Sequence, residues 1–244
     1  MKLSDVWKLI LWEGINQSLL KRKRNKIYIF PLDFKGINIG CGLHNPPKWK
    51  GIDGGATHYI AKKLPGPIFK LFYKGFNMHK NYTLQEYKDK VKNLDLVHHD
   101  LRYGLPYASN TIPNVYSSHF FEHLFRKESL TLLQECFRVM KKDGCIRICV
   151  PSLVQEVDKI KTAIAAYDNG DIIPVQKYVT WNIVGYSSYY SNHHWMYNSK
   201  ELASILKEAG FSEITECSYH QGTMVDVDVL DNRNGIYYEA FKRI

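Results

Sequence analysis

The sequence predicts an α/β fold: a mostly parallel, seven-stranded sheet with helices on both faces. Three observations carry that reading. Short apolar runs of strand length alternate with stretches of helical periodicity between residues 36 and 150, and such alternation builds a parallel sheet. The first run ends in Gly40-Cys41-Gly42, a backbone that can approach a ligand closely because glycine has no Cβ. Two last strand-like runs, 211–219 and 235–241, complete the sheet.

Taken in order, residues 5–20 place Val6, Ile10, Leu11, Ile15, Leu19 and Leu20 at helical spacing and lead into Lys21-Arg22-Lys23-Arg24. This N-terminal basic helix (residues 1–30) either packs on the domain or lies on an anionic membrane face as a peripheral contact. Strands follow at 36–39 and 50–53, separated by too few residues for a full crossover helix. Residues 56–94 contain two prolines and a helical run, LQEYKDKVKNL, and read as an insertion before the third strand at 94–98. A fourth strand at 115–118 and a helix from Lys127 to Met140 come next. Gly144 then turns the chain into a fifth strand, 145–150. Residues 155–198 read as a lid, and Ser199 opens a capped helix ending at Gly210.

At 244 residues the chain fits one domain, 1–244. The formal charge of +9 permits anionic partners, but the basic residues are dispersed apart from 21–26, so no specific nucleic acid is expected. Five cysteines, an odd number without a C-x-x-C, argue for reduced thiols. No stretch approaches the roughly 20 apolar residues of a membrane span, and residues 1–4 lack a secretory pattern. A cytoplasmic location, peripheral to the membrane at most, is the expectation.

The glycine loop lacks the third glycine of the dinucleotide fingerprint, where Asn45 stands, and no G-K-[ST] follows. Asp53 ends the second strand, where a carboxylate can accept from both hydroxyls of a ribose. Asp100-Leu101 closes the third, and Ser117-Ser118-His119-Phe120-Phe121-Glu122-His123-Leu124 closes the fourth. Glu135 to Gly144 then leads into the fifth strand and Val150-Pro151-Ser152.

In the order and spacing of these motifs, residues 36–152 resemble class I S-adenosylmethionine-dependent methyltransferases, and more narrowly the small branch associated with cell-surface polysaccharide biosynthesis. The resemblance implies a Rossmann-like class I methyltransferase fold and S-adenosylmethionine as methyl donor. It implies donor-binding roles for Ile39, Gly40, Cys41, Gly42, Asp53, Asp100, Leu101 and Ser118. The backbone at 40–42 would hold the methionine part, Asp53 the ribose, and Asp100 with Leu101 the adenine.

The acceptor implied by the narrower branch is a saccharide hydroxyl. Its proton must leave during attack, so a general base helps, and histidine suits neutral pH. His119, His123 and the later His193 or His194 are the catalytic candidates, with His194 taken for the last. The aromatic stretch Tyr186 to Trp195 is the expected acceptor wall. A divalent metal orienting a sugar diol is compatible with the resemblance, and no ligands are assigned to it. Other readings stay open: a lipid or other small-metabolite acceptor, a nucleic-acid-binding protein, and an H-x-x-E-H metallohydrolase in which His119 and His123 share one helical face. The oligomeric state is not legible.

Overall fold

The structure, a computed structural model, describes residues 3–174 and 193–244, with side chains from residue 11 onward. Seven strands form one sheet in the order β3-β2-β1-β4-β5-β7-β6. They are β1 (Gly36–Ile39), β2 (Trp49–Asp53), β3 (Leu96–His98), β4 (Ile112–Ser118), β5 (Met140–Val150), β6 (Ser212–Cys217) and β7 (Ile236–Phe241). The first five are mutually parallel, and β7 runs antiparallel between β5 and β6. The expected Rossmann-like fold is thus found, with one antiparallel strand inserted near its edge.

The central strands are buried throughout: Ile37, Ile39, Ile52, Val115, Ile146 and Ile148 share one core with Leu132, Leu133, Ile205 and Leu206. A helix α1 spans Leu3–Arg22, and no crossover helix lies between β1 and β2, as their short spacing requires. The 56–94 segment is more ordered than its prolines imply. It forms α2 (Ala56–Ala61), α3 (Gly66–Gly75) and α4 (Leu84–Asn93), with Pro67 in the first turn of α3, where its missing N–H costs nothing. Thr83 and Glu86 close a capping box on α4. Phe69, Tyr73, Tyr87 and Val91 pack these helices into a separate apolar cluster.

α5 (Arg126–Val139) covers the sheet after β4, and α6 (Leu153–Asp168) follows β5. α7 (Ser199–Glu208) is capped by Asn198, not Ser199, because the Asn198 side chain accepts from the Glu201 N–H. A short α8 (Val227–Leu230) lies between β6 and β7. Residues 175–192 of the 155–198 lid lie outside the described residues, among them Tyr186, Ser187, Ser188, Tyr189, Tyr190, Ser191 and Asn192 of the acceptor wall.

The carboxyl ends of β1 and β4 lie side by side, and the chain leaves them toward opposite halves of the sheet. Such a switch point opens a crevice where doubly wound folds bind ligands. Its roof is α1. Trp12 packs against Phe72 and Phe76 at 5.7 and 4.6 Å between ring centroids. Leu20 is buried, and the Asn16 amide donates to the Gly54 carbonyl at 3.0 Å. This is the domain-packing alternative for the N-terminal helix. Among the described residues no helix is long and apolar enough to cross a membrane.

Candidate functional site

The loop after β1 is built on two left-handed glycines, Gly40 at φ 65° and Gly42 at φ 53°. A Cβ on Gly40 would stand 2.4 Å from the Phe120 ring. Only glycine lets the loop and the turn after β4 approach so closely. Asp53, at the end of β2, braces the same loop. One carboxylate oxygen accepts from the Gly42 N–H at 3.0 Å and the other from the Gly55 N–H at 2.7 Å. Each oxygen retains acceptor capacity for a ligand hydroxyl.

A cavity of about 360 Å³ lies over this frame, lined by Gly40, Asp53, Asp100, Leu101, His119, Phe120, His123 and, from α1, Glu13, Asn16, Gln17 and Leu20. A second, polar cavity of about 190 Å³ shares Gly40 and adds Cys41, Gly42, Tyr82, Lys90, Ser118 and Arg233. The predicted donor residues are therefore divided between two cavities that meet at Gly40. Ile39 lines neither: its side chain is core, and its carbonyl accepts from the Ser117 hydroxyl at 3.1 Å. Asp100 is in place but engaged, since Arg102 donates to it from its backbone N–H at 3.0 Å and from Nε at 2.9 Å. A ligand amino group would have to displace part of that fork. The residues fit the cofactor where the demand is most specific, in a backbone cradle that a Cβ would fill and a carboxylate beside it.

The roof is tied down by a histidine that no local sequence pattern places there. His98 on β3 approaches the Asn16 Oδ1 at 2.9 Å through Nε2, and the Lys23 ammonium stands 3.0 Å from Nδ1. Because the ammonium can only donate, Nδ1 must be the acceptor and Nε2 must carry the proton. Burial, then the Lys23 charge, push the His98 pKa down to about 4. The neutral ring is the form that docks α1. Its folded pKa lies below the unfolded value near 6.5, so the docking contribution is complete above about pH 6.5 and is lost as pH falls toward 4, up to roughly 3 kcal/mol. Hydrogen exchange of residues 11–22 should accelerate between pH 7 and pH 5 relative to the β4 and β5 amides. Equal protection across that range would rule this out.

The turn after β4 does not form the helix that an H-x-x-E-H zinc-protease pattern needs. His119 sits at φ 52°, which breaks helical geometry, and Phe121–His123 make a single 3₁₀ turn. His119 Nε2 lies 2.9 Å from the Asn234 carbonyl, so Nε2 carries the proton and Nδ1 is the acceptor. Burial lowers its pKa, keeping the ring neutral at neutral pH. His123 lines the larger cavity. His194 is turned elsewhere, its ring stacked on Phe125 at 4.6 Å. Its neighbour His193, the alternative candidate to His194, stands 5.1 Å from the His123 ring.

Between these rings lies Glu122, 1% exposed, with His119 Nδ1 at 3.7 Å and His123 Nε2 at 3.8 Å from its Oε1. Burial raises its pKa to about 8. From the sequence, Glu122 belongs to the motif closing the fourth strand and to the zinc-protease pattern, and is not a catalytic candidate of the methyltransferase reading. Its burial depends on the backbone of residues 194 and 195, whose N–H groups both donate to its carbonyl, a contact no local pattern predicts.

Residues 73–148, which run from α3 through most of β5, match the sequence model of a family described as a methyltransferase domain. No curated protein matches the chain. Similar solved structures include phosphoethanolamine N-methyltransferase 2 of Haemonchus contortus in complex with S-adenosyl-L-methionine, at 13% identity and a TM-score of 0.46, covering 95% of this chain and 53% of that one. A SAM-dependent methyltransferase of Archaeoglobus fulgidus is 16% identical, with a TM-score of 0.43 and coverage of 99% and 100%. Another from Thermotoga maritima is 12% identical, with a TM-score of 0.44 and coverage of 97% and 95%. The chain spans about half the length of the Haemonchus enzyme. The family match, with the observed strand order, supports a methyltransferase.

Proposed function

We propose that the chain is an S-adenosylmethionine-dependent methyltransferase that methylates a saccharide hydroxyl in surface glycan synthesis. The observation that carries the donor assignment is the pairing of the Gly40–Gly42 cradle with Asp53 at the β1–β4 crevice. When bound, the donor supplies a methyl group on a sulfonium that leaves as a neutral thioether. Gly40 to Gly42 present their backbone to its amino-acid end, Asp53 accepts from the ribose hydroxyls, and Leu101 packs against the base. His119, with its tautomer set by the Asn234 carbonyl, accepts the acceptor's proton on Nδ1 as the oxygen attacks.

The second cavity supports a hydroxyl-rich acceptor over an apolar one. Asn38, Tyr82, Tyr116, Ser118 and Asn232 offer hydrogen-bonding groups, and Lys90 and Arg233 suit an acceptor carrying phosphate, such as a nucleotide-linked sugar. The test is calorimetric titration with S-adenosylhomocysteine, wild type beside Asp53→Ala. Micromolar binding is expected, weaker by about tenfold or more in the variant, which loses two ribose hydrogen bonds to a charged acceptor. Absence of binding by the wild type would overturn the donor site. Incorporation into lipids, with none into glycans or nucleotide sugars, would overturn the acceptor class.

A further inference from the structure

We propose that Glu122, His123 and His193 form a binding site for a first-row divalent transition-metal cation at the wall of the donor cavity. The three ligands come from two segments, the turn after β4 and the stretch preceding α7. One carboxylate oxygen and one nitrogen from each imidazole lie within 4.8 Å of one another. Small side-chain rotations bring such a set around one ion with bonds of roughly 2.0–2.2 Å. The two segments are already fixed together, because the His194 and Trp195 N–H groups donate to the Glu122 carbonyl at 2.7 and 3.2 Å.

A second, independent observation points to a ligand. The Glu122 side chain is 1% exposed, and among the described residues neither of its oxygens has a hydrogen-bond partner. A buried carboxyl group with no hydrogen-bond partner is costly in either protonation state. Among the described residues the titratable side chains within 4 Å of it are imidazoles, with no lysine or arginine. His193 Nδ1 is likewise buried without a hydrogen-bond partner among the described residues. A cation between these groups satisfies both at once.

The donor set selects the metal. Two imidazoles and one carboxylate suit zinc, iron(II) or manganese better than calcium or magnesium, which prefer oxygen shells. Three protein ligands leave a coordination position open. His119, held by the Asn234 carbonyl through Nε2, adds an acceptor nitrogen 3.7 Å from Glu122. His123 lines the donor cavity, so the ion would stand beside the donor's space, where an acceptor hydroxyl reaching the methyl group could bind it and become more acidic. This last role rests on the methyltransferase reading; the cation site does not.

The test uses untagged full-length protein stripped with EDTA and dialysed against zinc chloride or manganese chloride, with metal per chain measured by plasma mass spectrometry. One ion per chain is expected in the wild type, with a rise in melting temperature on binding. Affinity should fall by more than about tenfold in both Glu122→Gln and His193→Ala, each checked for native circular dichroism. A wild type that retains no ion, or variants that bind as the wild type does, would overturn the site. Titrating the same stripped protein with S-adenosylhomocysteine separates the two readings. A protein that binds the nucleoside but takes up no metal overturns the cation site alone, and one that takes up metal but binds no nucleoside overturns the donor site while supporting the cation site.

Discussion

Replacing Arg147 with methionine should lower the unfolding free energy by about 3–5 kcal/mol. Arg147 lies in the middle of β5, fully buried, opposite Glu239 on β7. Its guanidinium donates to Glu239 Oε1 at 2.9 Å, to Asp231 Oδ1 at 2.9 Å, and to the Gln221 and Ser218 carbonyls at 3.0 Å each. The carboxylates are satisfied in turn, Asp231 by the His220 N–H at 2.9 Å and Glu239 by the Thr223 N–H at 2.7 Å. Methionine fills much of the volume but leaves two carboxylates buried without their cation, and that is the expensive event. Urea denaturation should show the loss, with a fall in melting temperature of roughly 10 °C. Adding Asp231→Asn and Glu239→Gln to the methionine variant should recover a substantial part, since the neutral amides need no countercharge. A single variant within about 1 kcal/mol of the wild type would refute the account. The same network fixes residues 218–231, which lead directly to Asn232 and Arg233 at the second cavity. The variant should therefore also bind anionic acceptors less well.

How far the sequence reaches is clear from which signals are local. The strands from 36 to 150 are legible because buried parallel strands read as continuous apolar runs between turn residues. The capped α4 and α5 are legible from their periodicity. The left-handed Gly40 and Gly42 and the placement of Asp53 beside them follow from strand ends, so this loop and its carboxylate can be read from one dimension. α2 and α3 escape because Pro65 and Pro67 resemble breakers, although Pro67 sits where a helix accepts proline. The division of the donor residues between two cavities cannot be read, since it depends on the Phe120 ring against Gly40. The same holds for His98 under α1 and for His193 beside Glu122. Each of these contacts joins residues more than 60 positions apart, and their side chains carry no local signature. The choice between His193 and His194 illustrates the limit: adjacent residues in an irregular segment point in different directions, and only the Glu122 carbonyl, which receives both following N–H groups, decides which ring faces inward.

Gly40→Ala should reduce S-adenosylhomocysteine affinity by roughly 100-fold, whereas Gly42→Ala should cost only about fivefold. Both residues are left-handed, at φ 65° and 53°, so an alanine at either carries a backbone penalty of roughly 1–2 kcal/mol. They differ in what surrounds the new methyl. At Gly42 nothing lies within 4 Å, but at Gly40 three Phe120 side-chain atoms lie at 2.4–2.7 Å. An alanine at 40 must therefore push the Phe120 ring aside. That ring lines the same cavity as Asp53 and His119, so relief of the clash comes at the expense of the donor's space. Adding Phe120→Ala to Gly40→Ala removes the overlap but leaves the backbone strain. The double variant should regain about tenfold, to within reach of Gly42→Ala, and the coupling free energy from the four-variant cycle should be of order 1 kcal/mol. Additive effects in that cycle would mean that Phe120 does not press on the loop, and that the cradle owes its shape to glycine's backbone freedom alone.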